Sequence, residues 1–305
     1  MVTKKEKTKI HTKYFKVAGI TIEVNSDYPI SENTFHPKFK LFEIDGPGHD
    51  NIVVHHHFRI DQYLQSNPGK KIYDKLPWII YKNKTSWIYR MISAGRKDYI
   101  THSFTIFNNH HTCSDIYWNN DHKQRYLKGM LQSLTAFPSD QVLLARILAD
   151  RNGCFFHSNG VVLDGNGYLF MGHSGYGKTT ISNMLKHQGG KILCDDRMIV
   201  RKYSDEIKMY GNWCYGGTPE FSADTIPLKA FFFISKSSHN SIVLEKNKTK
   251  NIKQLLAYIV RPLVTYDWWE NNMNLLEALI EDIPCYNLTF DLSGDIVKKI
   301  RQLIP

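Results

Sequence analysis

The sequence predicts a two-domain α/β protein, with a β-rich domain over residues 1–138 and an α/β core over residues 139–305. Three observations carry this expectation. Between 14 and 130, short runs dense in β-branched and aromatic residues recur with turn signals between them. At "KGMLQSLTAFPSDQVLLARILADRNG" the apolar spacing changes to the 3.6-residue period of a helix. Beyond it, strand-like and helix-like segments alternate around a glycine-rich loop.

In chain order, strands are expected at 15–24, 52–60, 78–82, 86–92 and 99–107. The turn signals are "DGPGHDN" (45–51), "SNPGKK" (66–71), "KNK" (82–84) and "AGRKD" (94–98). Intervals this short suggest a meander of antiparallel pairs. Ser139 reads as the N-cap of the helix carrying Val142, Leu143, Ile147 and Leu148, with Gly153 as its stop. "CFFHSNGVVLD" and "YLFMG" are apolar runs joined by the hairpin signal "GNG". A helix with Ile181, Met184 and Leu185 on one face follows the glycine-rich loop. "KILC" is a short strand ending at Asp195-Asp196, and "LKAFFFI" and "CYNLTF" are later strands. "NLLEALIEDI" reads as helix, and the last helix gathers Ile296, Val297, Ile300, Leu303 and Ile304 on one side.

Composition narrows the class. Hydrophobic residues make up 42% and charged residues 22% of 305, an ordinary globular balance. No apolar run approaches a bilayer span, so no membrane partner is expected. The basic start "MVTKKEKTKIHTKYF" has no apolar centre; it reads as a frayed, solvated tail and not as a secretory signal. Five cysteines, none at CxxC spacing, argue against a disulfide framework or a zinc site and for a reducing, cytoplasmic setting. Of the net charge of +10, +7 lies in residues 1–140. Without an Arg-rich run or a known nucleic-acid motif, this favours a solvated Lys-rich surface over one that attracts an acidic peptide or nucleic acid.

"GHSGYGKTT", Gly172 to Thr180, fits G-x-x-x-x-G-K-[ST], with Gly172, Gly177, Lys178 and Thr179 in the fixed places. Glycines let the backbone curl until several N–H groups face phosphate oxygens. A helix starting near Lys178 adds its positive end. Lys178 supplies a point charge for the β and γ phosphates, and the Thr179 hydroxyl is a hard oxygen suited to Mg²⁺. Ser174, Gly175 and Thr180 belong to the same loop and helix start, and are candidates for the same ligand. The strand before the loop is the second arm of a hairpin whose first arm carries His157. A pair of acids, Asp195 and Asp196, follows the loop helix.

Residues 154–201 resemble the kinase domain of HPr kinase/phosphorylase and its relatives, which share a nucleotide-binding core with phosphoenolpyruvate carboxykinases. Three elements match in register: a His fifteen residues before the first loop glycine, G-x-S-G-x-G-K-[ST], and an Asp-Asp pair twenty-three residues after that glycine. Weaker similarity runs from about 141 to 305, in "YGNWCYGGTPEF" and "IPCYNLTFD". The resemblance implies a mixed-sheet P-loop kinase core using ATP and Mg²⁺. Asp195 would be the general base that takes the acceptor proton. Asp196, with Thr179, would help hold Mg²⁺. Lys178 and the loop amides would neutralise the transferring phosphoryl group. His157 would tune the base, and Arg197 would either clamp phosphate or lie as a surface arginine.

The implied acceptor is a hydroxyl, foremost Ser or Thr of a peptide or protein. A small-molecule kinase and a nucleotide-sensing module are the alternatives on the same core. The resemblance also implies a homo-oligomer. Two departures concern HPr itself as acceptor, and phosphorolysis: His173 stands where HPr kinases usually have Asp, and no E-x-R-G-x-G-type signature follows the core. Elsewhere, "VHHHF" (His55 to His57) and "NHHTC" invite a metal reading. Adjacent strand residues point to opposite faces, so "HHH" offers one ion only two side chains, and packed histidines are the preferred reading. "YDWWENN" reads as a helix start with Trp268 or Trp269 buried, and "KNKTKNIK" (246–253) as a solvated loop.

Overall fold

The computed structural model describes residues 10–60, 68–96, 98–217, 219–264 and 267–303. The chain divides into two compact units, Met1–Leu143 and Leu144–Pro305, where the sequence reading divided it at 138/139. The basic tail over residues 1–9, part of "SNPGKK", Lys97, Tyr266 and Ile304 lie outside the described residues.

The first unit is built on a mixed nine-stranded sheet. β1 (His11–Val17) and β2 (Ile20–Ser26) form a hairpin. The stretch expected as one strand over 15–24 is broken at Ala18-Gly19, both with positive φ (51° and 78°), as a two-residue turn of the primed type requires. β3 (Glu43–Ile44), β4 (Asn51–His57), β5 (Lys70–Lys75), β6 (Trp78–Lys82), β7 (Ser86–Ala94), β8 (Tyr99–Asn108) and β9 (Cys113–Trp118) follow, then helix α1 (Asn120–Lys128). β5 begins inside the expected turn at 66–71 and runs on through residues given no element, because its exposed Lys-rich face hides an edge strand's pattern. The order is β3-β1-β2-β4-β9-β8-β7-β6-β5.

β5 to β9 is the expected antiparallel meander. The pairs β2·β4 and β4·β9, however, are parallel. The meander's last strand returns beside β4, a long-range pairing that no local turn signal encodes. Along β4 burial alternates: Ile52, Val54 and His56 face the core, while Val53, His55 and His57 are half-buried on the other face.

Helix α2 (Gln141–Ala149) contains the division between the units. It starts two residues later than the expected Ser139 cap. Ser139 and Asp140 are instead left-handed (φ 54° and 60°) in a 3₁₀ turn. Asp140 is fully buried and its carboxylate accepts from the Leu134 and Thr135 N–H groups (both 2.9 Å) and the Thr135 hydroxyl (2.7 Å). These bonds, more than helix propensity, fix the entry to α2.

The second unit holds β10 (Gly153–Phe156), β11 (Asn159–Leu163), β12 (Asn166–Met171), α3 (Lys178–His187), β13 (Lys191–Cys194), β14 (Met198–Lys202) and β15 (Ile207–Tyr210). β16 (Thr225–Lys236), β17 (Ser241–Leu244), α4 (Lys248–Tyr258), α5 (Trp268–Asp282), β18 (Cys285–Phe290) and α6 (Ile296–Leu303) complete it. "CFFHSNGVVLD" is thus two strands, and His157 sits between β10 and β11, not on the hairpin arm. "KNKTKNIK" is not a loop: Asn247 accepts from the Lys250 N–H and caps α4.

The sheet is mixed: β12 pairs in parallel with β16, and β16 with β18, while β11 pairs antiparallel with both β12 and β13. Over residues 230–234, β16 is buried on both faces and splits its side chains with period two. Ala230, Phe232 and Ile234 pack with α3 and α6 through Ile181, Leu185, Ile296, Val297 and Ile300. Phe231 and Phe233 pack on the other side with Leu255 of α4 and Trp268, Leu276 and Leu279 of α5. Trp268 is buried and Trp269 exposed. The result is a sheet between two helical layers, with the glycine-rich loop leaving its centre at the end of β12.

Asp140→Ala strips the acceptor from two buried backbone donors, each costing about 1–3 kcal/mol when unsatisfied. We expect a loss of about 3 kcal/mol in urea unfolding. A change below about 0.5 kcal/mol would mean these bonds do not hold the segment.

Candidate active site

β12 ends at Met171, and the chain turns through Gly172–Gly177 into α3. Gly175 and Gly177 have φ of 82° and 99°, the left-handed region that side chains resist. Gly177 is the N-cap of α3, and no side chain caps the helix there. The first-turn N–H groups therefore face the loop rather than a capping oxygen. A Cβ on Gly177 would come within 2.9 Å of Phe290 Cζ, at the end of β18. The Lys178 ammonium donates back across the loop to the Gly172 carbonyl (2.8 Å). Burial lowers the Lys178 pKa from its usual value, against the pull of Asp196.

Facing the loop are the residues after β13. Asp195 is buried, and its Oδ1 accepts from Asn159 Nδ2 (2.8 Å) and from the Thr179 hydroxyl (3.4 Å). Asn159 Nδ2 also donates to Ser182 Oγ (3.1 Å) on α3, and Asn159 Oδ1 accepts the Asp196 N–H (3.2 Å). Asp196 has a φ of 92°, uncommon for a side-chain-bearing residue and a sign of stored strain. A Cβ on Gly216 would lie 2.6 Å from Asp196 Cβ, so only glycine fits behind it. The Asp196 carboxylate is engaged by the Arg197 guanidinium and lies 3.2 Å from His157 Nδ1. Arg197 also donates to His157 Nδ1. Burial, then the Arg197 charge, hold the His157 pKa below its usual value, which favours a neutral ring.

A pocket of about 450 Å³ gathers these groups. Its walls carry His157, Ser174, Gly175, Gly177, Lys178, Thr179, Thr180, Asp195 and Asp196 from the sequence-predicted set. Gly172 contributes its carbonyl to Lys178, and Arg197 reaches the site through Asp196 and His157 rather than lying as a free surface arginine. One pairing differs from the expected roles: Thr179 stands next to Asp195, while Asp196 is held by Arg197 and His157.

The sequence reading missed Asn159, Gly217 and Lys236, which also line the pocket, and it gave His173 no role there. Asn159 was detectable as a polar residue between apolar runs. Lys236 was not, since it ends a strand sixty residues away from the loop.

The donor set suits a nucleotide phosphate with a hard cation. Left-handed glycines and uncapped amides offer N–H donors, Lys178 a cation, and Thr179 and the two aspartates hard oxygens.

The described elements define a mixed α/β chain with two mixed sheets. No family model matches the chain, and no curated protein does. Among solved structures, the HPr(Ser) kinase/phosphatase from Coxiella burnetii is similar to this chain at 13% identity and a TM-score of 0.31, covering 49% of this chain and 97% of that one. No helix among the described residues is long and apolar enough to cross a membrane.

The two left-handed glycines separate conformational strain from crowding. A Cβ on Gly175 meets no heavy atom within 4 Å, so Gly175→Ala costs only the about 1–2 kcal/mol of the left-handed backbone. Gly177→Ala adds the overlap with Phe290, worth about 1–3 kcal/mol more. Urea unfolding should show that gap, and a Phe290→Leu background should narrow it. Equal costs for the two glycines would mean the loop does not rest on Phe290.

Proposed function

We propose that the chain is an ATP- and Mg²⁺-dependent kinase that transfers the γ-phosphoryl group to a hydroxyl, foremost Ser or Thr of a peptide or protein. One observation carries this: the turn from β12 into α3 puts Lys178 and Thr179 opposite Asp195 and Asp196 in a single pocket. The loop amides and Lys178 bind and orient the triphosphate. Asp195 takes the proton from the attacking hydroxyl, a role worth about 10²–10⁴-fold in rate. Thr179 and Asp196 would hold Mg²⁺, which when bound neutralises charge between the phosphates. Arg197 and His157 position Asp196. The acceptor class comes from the family resemblance in residues 154–201.

The contact between Thr179 and Asp195 favours a second distribution of roles. In it Asp195 joins Thr179 in holding the cation, and Asp196, backed by His157, becomes the base. The two carboxylates then exchange phenotypes, which makes the choice measurable.

The test incubates the purified chain with γ-labelled ATP and Mg²⁺ against separate peptide and metabolite pools. Label in the peptide pool supports the proposal, label in metabolites alone moves it to a small-molecule kinase, and no binding of ATP by calorimetry removes it. Lys178→Ala should weaken ATP binding by at least about tenfold, from loss of a charge-assisted contact. Asp195→Asn should lower kcat by about 10²–10⁴-fold with ATP still bound. If Asp195 is the base, the Mg²⁺ concentration for half-maximal rate stays put in that variant; if it is the cation's ligand, that concentration rises.

A further inference from the structure

The histidine triplet ends in an arrangement the sequence could not show. β2, β4 and β9 run parallel side by side, with Asn25 opposite His55 and His55 opposite Asp115. The alternation of β4 sends His56 into the core, where it bonds the Leu134 carbonyl and accepts from Trp118 Nε1. His55 and His57 share the other face, with ring centres 4.0 Å apart. Asp27 lies just past the end of β2, fixed by its N–H donating to the His56 carbonyl (3.1 Å). From there its two carboxylate oxygens reach both rings: Oδ1 is 3.2 Å from His55 Nε2, and Oδ2 is 3.0 Å from His57 Nδ1. The remaining nitrogen of His57, Nε2, lies 3.0 Å from Asp115 Oδ1.

We propose that Asp27, His55 and His57 form a binding site for a borderline divalent cation of the Zn²⁺ class, with Asp115 as the outer partner that orients His57. The three donor atoms lie within 4.8 Å of one another. Tetrahedral Zn²⁺ with bonds of about 2.0–2.1 Å sets neighbouring ligands about 3.3 Å apart. Whichever Asp27 oxygen binds, its edge to the nearer imidazole is therefore already near length, and the two edges to the other imidazole, at no more than 4.8 Å, must shorten. Two imidazoles and one carboxylate select a borderline ion over Mg²⁺ or Ca²⁺, which prefer all-oxygen sites. Asp115 supplies what a metal-bound imidazole ordinarily has, a carboxylate on its second nitrogen that fixes the tautomer. The side chains of Asp27, His55 and His57 are 28%, 19% and 20% exposed, open enough for an ion to enter and sheltered enough to hold it. Asp27 and His57 also line a cleft of about 1320 Å³, which leaves room for a fourth ligand. This site lies in the first unit and does not depend on the kinase proposal.

The test strips the full chain with a chelator and titrates it with Zn²⁺ by calorimetry in excess Mg²⁺, which occupies all-oxygen sites. One Zn²⁺ per chain is expected at this site. The double variant His55→Ala/His57→Ala should lose it. Asp115→Ala should bind about 10–100-fold more weakly, as loss of an outer partner does. Co²⁺ should give visible ligand-field bands in the parent chain and not in the double variant. Should that variant unfold by circular dichroism, Asp27→Asn and His55→Gln singly serve the same comparison. No Zn²⁺ uptake by the parent chain overturns the proposal. So does equal affinity in parent and folded variants, which would place the ion elsewhere.

Discussion

Asn159 is almost wholly buried, and a buried carboxamide is costly unless its donors and acceptor are met. Here one Nδ2 hydrogen goes to Ser182 on α3, the other to Asp195, and Oδ1 receives the Asp196 N–H. Three parts of the second unit are tied at one point: the first residue of β11, the helix behind the glycine-rich loop, and the turn after β13. The distance between loop and acids is set by a planar group that cannot stretch. Asp196 keeps its left-handed backbone because its N–H is claimed there and Gly216 yields the space behind it.

That framework explains what the sequence could tell and what it could not. The glycine-rich loop was legible because its requirements are local: positive φ at Gly175 and Gly177, a strand before and a helix after. The hairpin turns at Ala18-Gly19 and Asp164-Gly165 are local too, yet the first was read through, since alanine does not announce a left-handed residue. The alternating faces of β4 followed from strand geometry alone, and so His56 separated from its neighbours as expected. The company that His55 and His57 keep came from segments 28 and 60 residues away from His55 in the chain. Parallel pairing leaves no turn to read, and the antiparallel meander was extended too far for that reason.

Within the candidate site, residue identities were more legible than their partnerships. Asp195 and Asp196 are adjacent in sequence but turn to different neighbours, one toward α3 and Asn159, the other toward Arg197 and His157. The left-handed backbone of Asp196 itself is what splits the pair, and no spacing rule encodes it. His157 lies beside Asp196 although it stands between strands and not on the hairpin arm, because the gap between β10 and β11 is only two residues long.

Phe290 closes the final strand of the second unit with its ring on the side of Gly177 where a Cβ would project, and Gly177 is the residue from which α3 starts. That strand thus serves as a doorstop for the loop: β18 must be seated before Gly177 has anything to lean on. A nascent chain would have its lysine and threonine in place long before that brace exists. The grip on a triphosphate that we propose would then arrive late, with the last strand, and clipping the chain ahead of residue 285 would leave the loop's sequence intact but without its backstop.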